Sequence, residues 1–266
     1  MTPELTARKL LSPEREKLIL ESLKGGIRTI AELSSRLGVS EATVRRDLQS
    51  LEGQGRARRV HGGAEPVGGN PGTEPLFNEK ASFRAGEKDQ IAELALSYID
   101  DNDAIFLDGG STVLALARKL DARKNLTIVT NSLMAASELM ETPHRLILLG
   151  GEFRARSRTL VGPLTGRILS SLTIQKAFLG TMGFTLEDGI STSDPGEAYT
   201  KELVMRHALR VILLLDSSKL GVPSFAASGE LGDIDVIVTD DDIPEKVAAA
   251  LLKRHIELAT PRNSGS

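Results

Sequence analysis

Ser40-Glu-Ala-Thr-Val-Arg-Arg-Asp-Leu48 divides its side chains between two faces once it is wound into a helix. Val44 and Leu48, with Leu51 just beyond, follow the i, i+4, i+7 spacing of a narrow apolar stripe. Ala42, Arg45, Arg46 and Gln49 point the other way. Small, cationic and amide side chains on one face suit phosphates and base edges. Ser40 is placed as an N-cap, which would aim the positive end of the helix at a backbone phosphate. Taken alone, the stretch reads better as an ordinary amphipathic surface helix with two arginines. Its flanks decide between the two.

Upstream, Thr29-Ile-Ala-Glu32 has the form of a capping box and opens a short helix through Leu37, with Ile30, Leu33 and Leu37 on one face. Gly38-Val39 makes a tight turn, and Ser34, Gly38 and Val44 provide a small residue, a turn glycine and an apolar anchor for two crossing helices. Ser12-Pro13-Glu14 starts an earlier helix whose buried face is Ile19, Leu20 and Leu23 and whose end is Gly25-Gly26. Downstream, Gly53-Gln-Gly55 ends the central helix, and Arg56-Ala-Arg-Arg-Val-His61 follows as a basic strand before Gly62-Gly63. Three helices and a basic hairpin make a winged helix-turn-helix. The candidate contacts to double-stranded DNA are Thr29, Ser40, Ala42, Thr43, Arg45, Arg46 and Gln49, with Arg58, Arg59 and His61 from the wing. Asp47 is out of place on such a face. It is assigned to structure, holding Arg45 or a neighbouring basic side chain.

Charge agrees with this division. Residues 1–64 hold 12 Lys and Arg against 8 Asp and Glu, a net of +4, so the rest of the chain carries −7 of the total of −3. The phosphate-seeking surface therefore belongs to the N-terminal module, 1–64. Residues 65–76 are rich in Gly and Pro with little to bury and read as a linker to a larger domain, 77–260. There is no cysteine, which excludes disulfides, thiolate metal sites and a cysteine nucleophile and suits a reducing cytosol. His61, His144, His207 and His255 are scattered, so no metal site and no cofactor is expected. No apolar run or leader marks a membrane or secreted protein, and a cytoplasmic location is the expectation.

In the larger domain, unalternating apolar runs recur at Ala104–Leu107, Leu126–Val129, Leu146–Leu149, Ala177–Leu179, Val211–Leu215 and Val236–Val238. They fit strands of a mostly parallel sheet buried on both faces. Helical segments such as Glu87–Ile99, Thr112–Leu120 and Ala198–Ala208 lie between them, giving an α/β fold. Polar residues collect at the strand ends. Asp108-Gly-Gly-Ser-Thr112 runs straight into a helix, where glycine N–H groups, hydroxyls and the helix terminus together hold a phosphate. Thr130-Asn131-Ser132, Gly150-Gly151, Gly180-Thr181-Met-Gly183 and Asp216-Ser-Ser-Lys219 end other strands. Five such ends in one open sheet point to one pocket beyond its carboxyl edge.

Both halves resemble the DeoR family of bacterial transcription regulators. The first carries Arg15, Ile19, Leu23, Ser40 and Thr43-Val-Arg-Arg-Asp-Leu48, and the wing Arg59-Val-His-Gly-Gly63. The second carries Asp108–Thr112, Thr130–Ser132, Gly150-Gly151, Val161-Gly-Pro163, Lys176-Ala-Phe-Leu-Gly180 and Asp216–Lys219 in family order. The resemblance runs from about residue 12 to residue 242. It implies a sensor domain related in fold to ribose-5-phosphate isomerase and a phosphorylated sugar as effector, with the Asp108–Thr112 loop on the phosphate.

The candidate effector residues are Asp108, Gly109, Gly110, Ser111, Thr112, Asn131, Ser132, Gly151, Asp194, Lys201, Asp216 and Lys219. Lys201 either reaches the ligand or is a solvated helix lysine. Asp194 either accepts from a sugar hydroxyl or caps the helix after Pro195. Asp108, a carboxylate beside a phosphate, is expected to bind a hydroxyl or fix its loop through a backbone N–H or Lys219. The expected protein is a homo-oligomeric repressor, dimer or tetramer, of a carbohydrate operon. The rival is a sugar-phosphate isomerase with a fused DNA module, for which Asp108, Asp194, Glu197 and Lys201 supply residue types but no catalytic spacing, so no catalytic residue is named. A purely architectural DNA-binding protein would not need so large a second domain.

Overall fold

The computed structural model describes residues 11–23, 28–53, 56–60, 62–66 and 74–263. Gly25, Gly26, Gln54, Gly55, His61 and the side chain of Arg58 lie outside the described residues. The chain divides into two compact units, Met1–Asn70 and Pro71–Ser266.

The first unit contains α1 (Ser12–Leu23), β1 (Arg28–Thr29), α2 (Ile30–Leu37), α3 (Glu41–Gly53), β2 (Ala57–Val60) and β3 (Gly63–Pro66). The Thr29 hydroxyl accepts from the Glu32 N–H at 3.1 Å, and the Glu32 carboxylate accepts from the Thr29 N–H at 2.7 Å, so two of the orphan donors at the start of α2 are satisfied. Gly38 closes α2 at φ +64°, a left-handed conformation open to glycine at little cost. Ser34 stitches the same turn, its hydroxyl donating to the Val39 carbonyl at 2.6 Å. Ile19, Leu23, Leu33, Leu37, Val44, Leu48 and Leu51 form one core with Ala57 and Ala64. The antiparallel wing, ordered β1-β3-β2, uses a strand that periodicity did not reveal, the two-residue β1.

The second unit opens with α4 (Phe77–Ser82) and α5 (Ala85–Leu96), then β4 (Ala104–Leu107), α6 (Ser111–Ala117), β5 (Thr127–Thr130), α7 (Leu133–Leu139) and β6 (Arg145–Leu148). A hairpin of β7 (Glu152–Arg154) and β8 (Thr159–Val161) precedes α8 (Pro163–Leu169) and β9 (Ile174–Gly180). There follow β10 (Gly183–Thr185), β11 (Gly189–Thr192), α9 (Pro195–His207), β12 (Ala208–Leu214), β13 (Ala226–Gly229), β14 (Val236–Val238), α10 (Glu245–Lys253) and β15 (Glu257–Ala259). The main sheet is parallel throughout its seven strands, ordered β15-β14-β12-β9-β4-β5-β6.

Alternate residues of each strand feed separate cores. In β4, Ile105 and Leu107 join the cluster under α5, α6 and α7, while Phe106 joins the cluster under α8, α9 and α10. In β9, Phe178 packs into the first cluster and Ala177 and Leu179 into the second. A strand covered on both faces has no place for a polar residue, which explains runs without alternation. Burying each such side chain stabilises the fold by about 1.5–3 kcal/mol. From β4 the chain steps outward to β5 and β6, then returns to β9 on the other flank of β4. The order reverses between β4 and β9, where open α/β sheets leave a crevice.

The stretch 65–76 is not a bare linker along its whole length. β3 reaches Pro66, and Glu74 is a buried residue of the second unit. Backbone pairing with β2 at one end and ion pairing of Glu74 at the other override a composition poor in apolar groups.

Candidate functional site

On α3, Ala42, Arg45, Arg46 and Gln49 are exposed, and Thr43 is half-buried. The Ser40 hydroxyl accepts from the Thr43 N–H at 3.3 Å and lies 2.9 Å from the Thr43 hydroxyl. The hydroxyl of Thr29 is exposed but engaged in capping α2. Arg45 pairs with Glu41 one turn away at 2.8 Å, and both are about half exposed. Such a pair stabilises little and gives way easily to a phosphate. Arg59 is exposed on β2, its guanidinium 3.9 Å from Glu52.

Asp47 is structural, as expected, and the basic side chain it holds is Arg15 of α1, not Arg45. It points into the unit at 4% exposure and accepts from Arg15 of α1 through Nε at 2.7 Å and Nη2 at 2.9 Å, with Ser12 at 3.2 Å. The geometry follows from the helix. Asp47 lies beside Leu48 on the inward stripe, one residue past the outward arginines, so it faces α1. This bidentate pair fixes α1 against α3 and leaves Arg45 and Arg46 outside.

At the switch point of the main sheet, Asp108 follows β4 and Gly180 ends β9. The Asp108 carboxylate accepts from the Gly180 N–H at 3.1 Å and from Nζ of Lys201, which also donates to the Gly180 carbonyl at 2.8 Å. Lys201 is 6% exposed and Asp108 4%, so Lys201 is not a solvated helix lysine. Asp108 fixes its loop through Gly180 and Lys201, and Lys219 is not the partner. Gly109 and Gly110 then carry the chain to Ser111, half-buried, and Thr112, buried, at the start of α6. A Cβ on Gly109 would stand 2.2 Å from the Thr159 methyl, and Gly110 has φ +123°, so neither position tolerates a side chain freely.

The β7–β8 hairpin closes over these strand ends. Asn131 donates to the Leu160 carbonyl at 3.2 Å, while its own amide oxygen is buried without a hydrogen-bond partner. Ser132 caps α7, accepting from the Ala135 N–H at 3.2 Å, and Gly151 packs closely on the backbone of Val161. Asp194 caps α9, accepting from the Glu197 N–H at 3.0 Å.

Reading the sequence missed the residue at the centre of this region, Arg154 of β7. It reaches Glu74 at 2.5 Å, Glu197 at 3.1 Å and Asp194 at 3.2 Å; burial works against its charge, but these carboxylates outweigh it and raise its pKa. Glu197 accepts in addition from Thr192 at 2.7 Å and Thr159 at 3.3 Å. Glu197 and Lys201 are one turn apart on the buried face of α9, so that face joins the Arg154 cluster to the Asp108 cluster. A lone arginine after Gly150-Gly151 carries no pattern that spacing can detect. Glu74 lay in a stretch whose composition spoke against burial.

Asp216 and Lys219 belong to a neighbouring group. Asp216 is 1% exposed, accepts from the Ser218 N–H at 3.1 Å and lies 3.7 Å from Arg84, which also reaches Asp240 at 3.7 Å and Asp242 at 3.0 Å. Burial pushes the pKa of Lys219 down, with Lys80 and Arg84 adding to the effect against Asp216. Among the described residues the Lys219 ammonium has no hydrogen-bond or ion-pair partner, and none joins it or the Asp216 carboxylate directly to Asp108 or Ser111. Lys88, buried beneath this group, donates to the carbonyls of Lys80 and Phe83, and burial lowers its pKa to about 8.

A DeoR-like helix-turn-helix domain matches residues 15–67, and the DeoR C terminal sensor domain matches residues 84–241. The chain belongs to the DeoR family. Like its relatives, this DeoR-family chain is a transcriptional regulator with a DNA-binding and a sensing module, and neither matched module is catalytic. It is 36% identical to an uncharacterized regulator, FruR, of Bacillus subtilis over 92% of this chain and 100% of that one. It is 37% identical to the regulator GlpR of Haloferax volcanii over 87% and 91%, and 38% identical to a lactose phosphotransferase system repressor of Staphylococcus epidermidis over 85% and 90%. Among solved structures, a ribose 5-phosphate isomerase A from Methanocaldococcus jannaschii overlays on 50% of this chain and 53% of that one at 19% identity and a TM-score of 0.37. Among the described residues of this DeoR-family chain, no helix is long and apolar enough to cross a membrane, and no group of His, Cys, Asp and Glu could hold a metal ion.

Proposed function

We propose that the chain is a cytoplasmic repressor of a carbohydrate operon whose hold on its operator is set by a phosphorylated sugar. The N-terminal unit would read the operator with Arg45, Arg46, Ala42 and Gln49 in the major groove, while Ser40, Thr43 and Thr29 meet the backbone. The wing residues Arg58, Arg59 and His61 would lie on the adjoining groove. The relative named as a lactose phosphotransferase system repressor supports a sugar-uptake operon as target.

The observation that carries the sensing half is the pairing of Lys201 with Asp108 at the switch point. It neutralises the carboxylate that would otherwise repel a phosphate beside Ser111 and Thr112. Gly109, Gly110, Ser111 and Thr112 would hold the phosphate, with Asn131, Ser132, Gly151 and Asp194 near the sugar and Asp216 and Lys219 on the far rim. The orphaned Asn131 amide oxygen gives a sugar hydroxyl an acceptor. A dimer or tetramer joined through the larger unit would place two recognition helices about one DNA turn apart. Light scattering that gave only monomer would remove that part.

Ser111→Glu tests the sensing half. It sets a negative charge where the phosphate belongs, far along the chain from the arginines of α3. The variant should bind operator as the wild type does in gel shifts and stay bound when a sugar-phosphate mixture that releases the wild type is added. Release at the wild-type concentration would place the phosphate elsewhere.

A further inference from the structure

Glu74 ends the segment that joins the two units, with residues 67–73 between it and β3. Its carboxylate, 4% exposed, is bracketed by cations. Lys80 Nζ lies at 2.6 Å on Oε1, and Arg154 Nη2 at 2.5 Å and the Ser193 hydroxyl at 2.7 Å lie on Oε2. The backbone carbonyl of Glu74 also accepts from Arg156. Burial alone would raise this carboxyl. The hydrogen bonds from Arg154, Lys80 and Ser193, with the Lys80 charge, outweigh it and bring the pKa down to about 2. Two cations and a hydroxyl converging on buried oxygens are also what a phosphate requires.

This cluster adjoins the proposed ligand site. Arg154 shares Glu197 with Thr159, and the Thr159 methyl fills the space beside Gly109. On its other side Lys80 acts on the unpartnered Lys219. Arg154 keeps Asp194 and Glu197 if Glu74 departs, whereas Glu74 is the acceptor on Lys80 among the described residues. A departing carboxylate would thus leave Lys80 without its carboxylate, beside Lys219 on which, among the described residues, Asp216 alone acts as counter-charge, an attraction for an anion from solution.

We propose that Glu74 is a tethered anion: it occupies a cationic subsite of the ligand pocket until an anionic group of the effector displaces it and so loosens the turn that leads into α4. The proposal rests on the ligand site described above. Occupancy of a subsite is exchanged for attachment of Glu74. An internal competitor lowers apparent affinity by the fraction of time that it fills the site, so removing it tightens binding.

Inorganic phosphate, titrated calorimetrically into the full chain, tests this. Glu74→Gln keeps the shape and removes the charge, and it should bind phosphate about tenfold more tightly than the wild type. Glu74→Ala removes the whole carboxylate and none of the three donors, and should likewise tighten phosphate even if Glu74→Gln folds poorly. In the wild type, saturating phosphate should speed hydrogen exchange at Leu76, whose N–H donates to Glu79 at 2.8 Å beside Glu74. If phosphate binds the wild type but binds both variants no more tightly, the displacement proposal falls and the ligand site stands. If phosphate binds none of the three, the ligand site falls and the proposal with it.

Discussion

In the N-terminal unit Arg45, Arg46 and Arg59 stand in solvent, whereas in the C-terminal unit Lys88, Arg154 and Lys201 turn into the protein and Arg84 is largely covered. The outward set faces water and salt, which screen it beyond roughly 8 Å at physiological ionic strength. It suits a polyanion that brings many charges at once. The inward set is screened far less, and each cation is balanced by a chosen carboxylate or carbonyl. It suits a small anion that must compete for a place. Each unit also buries one carboxylate as a clamp, Asp47 on Arg15 in the first and Asp108 on Lys201 in the second. The difference lies in depth: Arg15 keeps 15% of its side-chain exposure and Lys201 8%.

That difference can be broken by mutation, and the deeper clamp should give the larger effect. Lys201→Met leaves Asp108 buried with the Gly180 N–H as its remaining donor. The C-terminal unit should lose about 3–5 kcal/mol in urea unfolding. A loss below about 1 kcal/mol would mean that the pair is as weak as a surface one. Asp47→Ala should cost the N-terminal unit about 2 kcal/mol, because the part-exposed Arg15 can turn toward water once Asp47 is gone. The check is whether the unfolding transition of that unit alone moves. An equal shift in both units would contradict separate clamps. The smallest effect on stability belongs to the outward set. Arg46→Ala should leave unfolding within about 0.5 kcal/mol of wild type while lowering the salt slope of DNA binding by about one, if it meets a phosphate. Unchanged affinity and slope would take Arg46 off the DNA.

The sequence by itself determined what is local. The Thr29–Glu32 capping box, the Gly38 turn, the apolar stripe of α3 and the unalternating strands all depend on residues within a turn or one strand of each other. Their chemistry was legible before any fold was known. The glycines and hydroxyls after β4 were legible for the same reason. The short strands β1 and β15 and the β7–β8 hairpin were not, because two or three residues carry no period.

Only the tertiary structure decided who holds whom. Asp47 meets Arg15 across 32 residues, Asp108 meets Lys201 across 93, and Ser193 meets Glu74 across 119. A charged side chain announces in sequence that it needs a partner if buried, but not whether it will be buried or by what. In sequence, Asp47 reads as structural without showing its true partner, Lys201 stands between ligand and solvent, and Glu74 falls in a stretch that reads as linker. The crossing of α1 on α3, the reversal of strand order at β4 and β9, and the closing of the hairpin over α9 brought each to its counter-charge, because in a low-dielectric interior no other arrangement of those groups is tolerated.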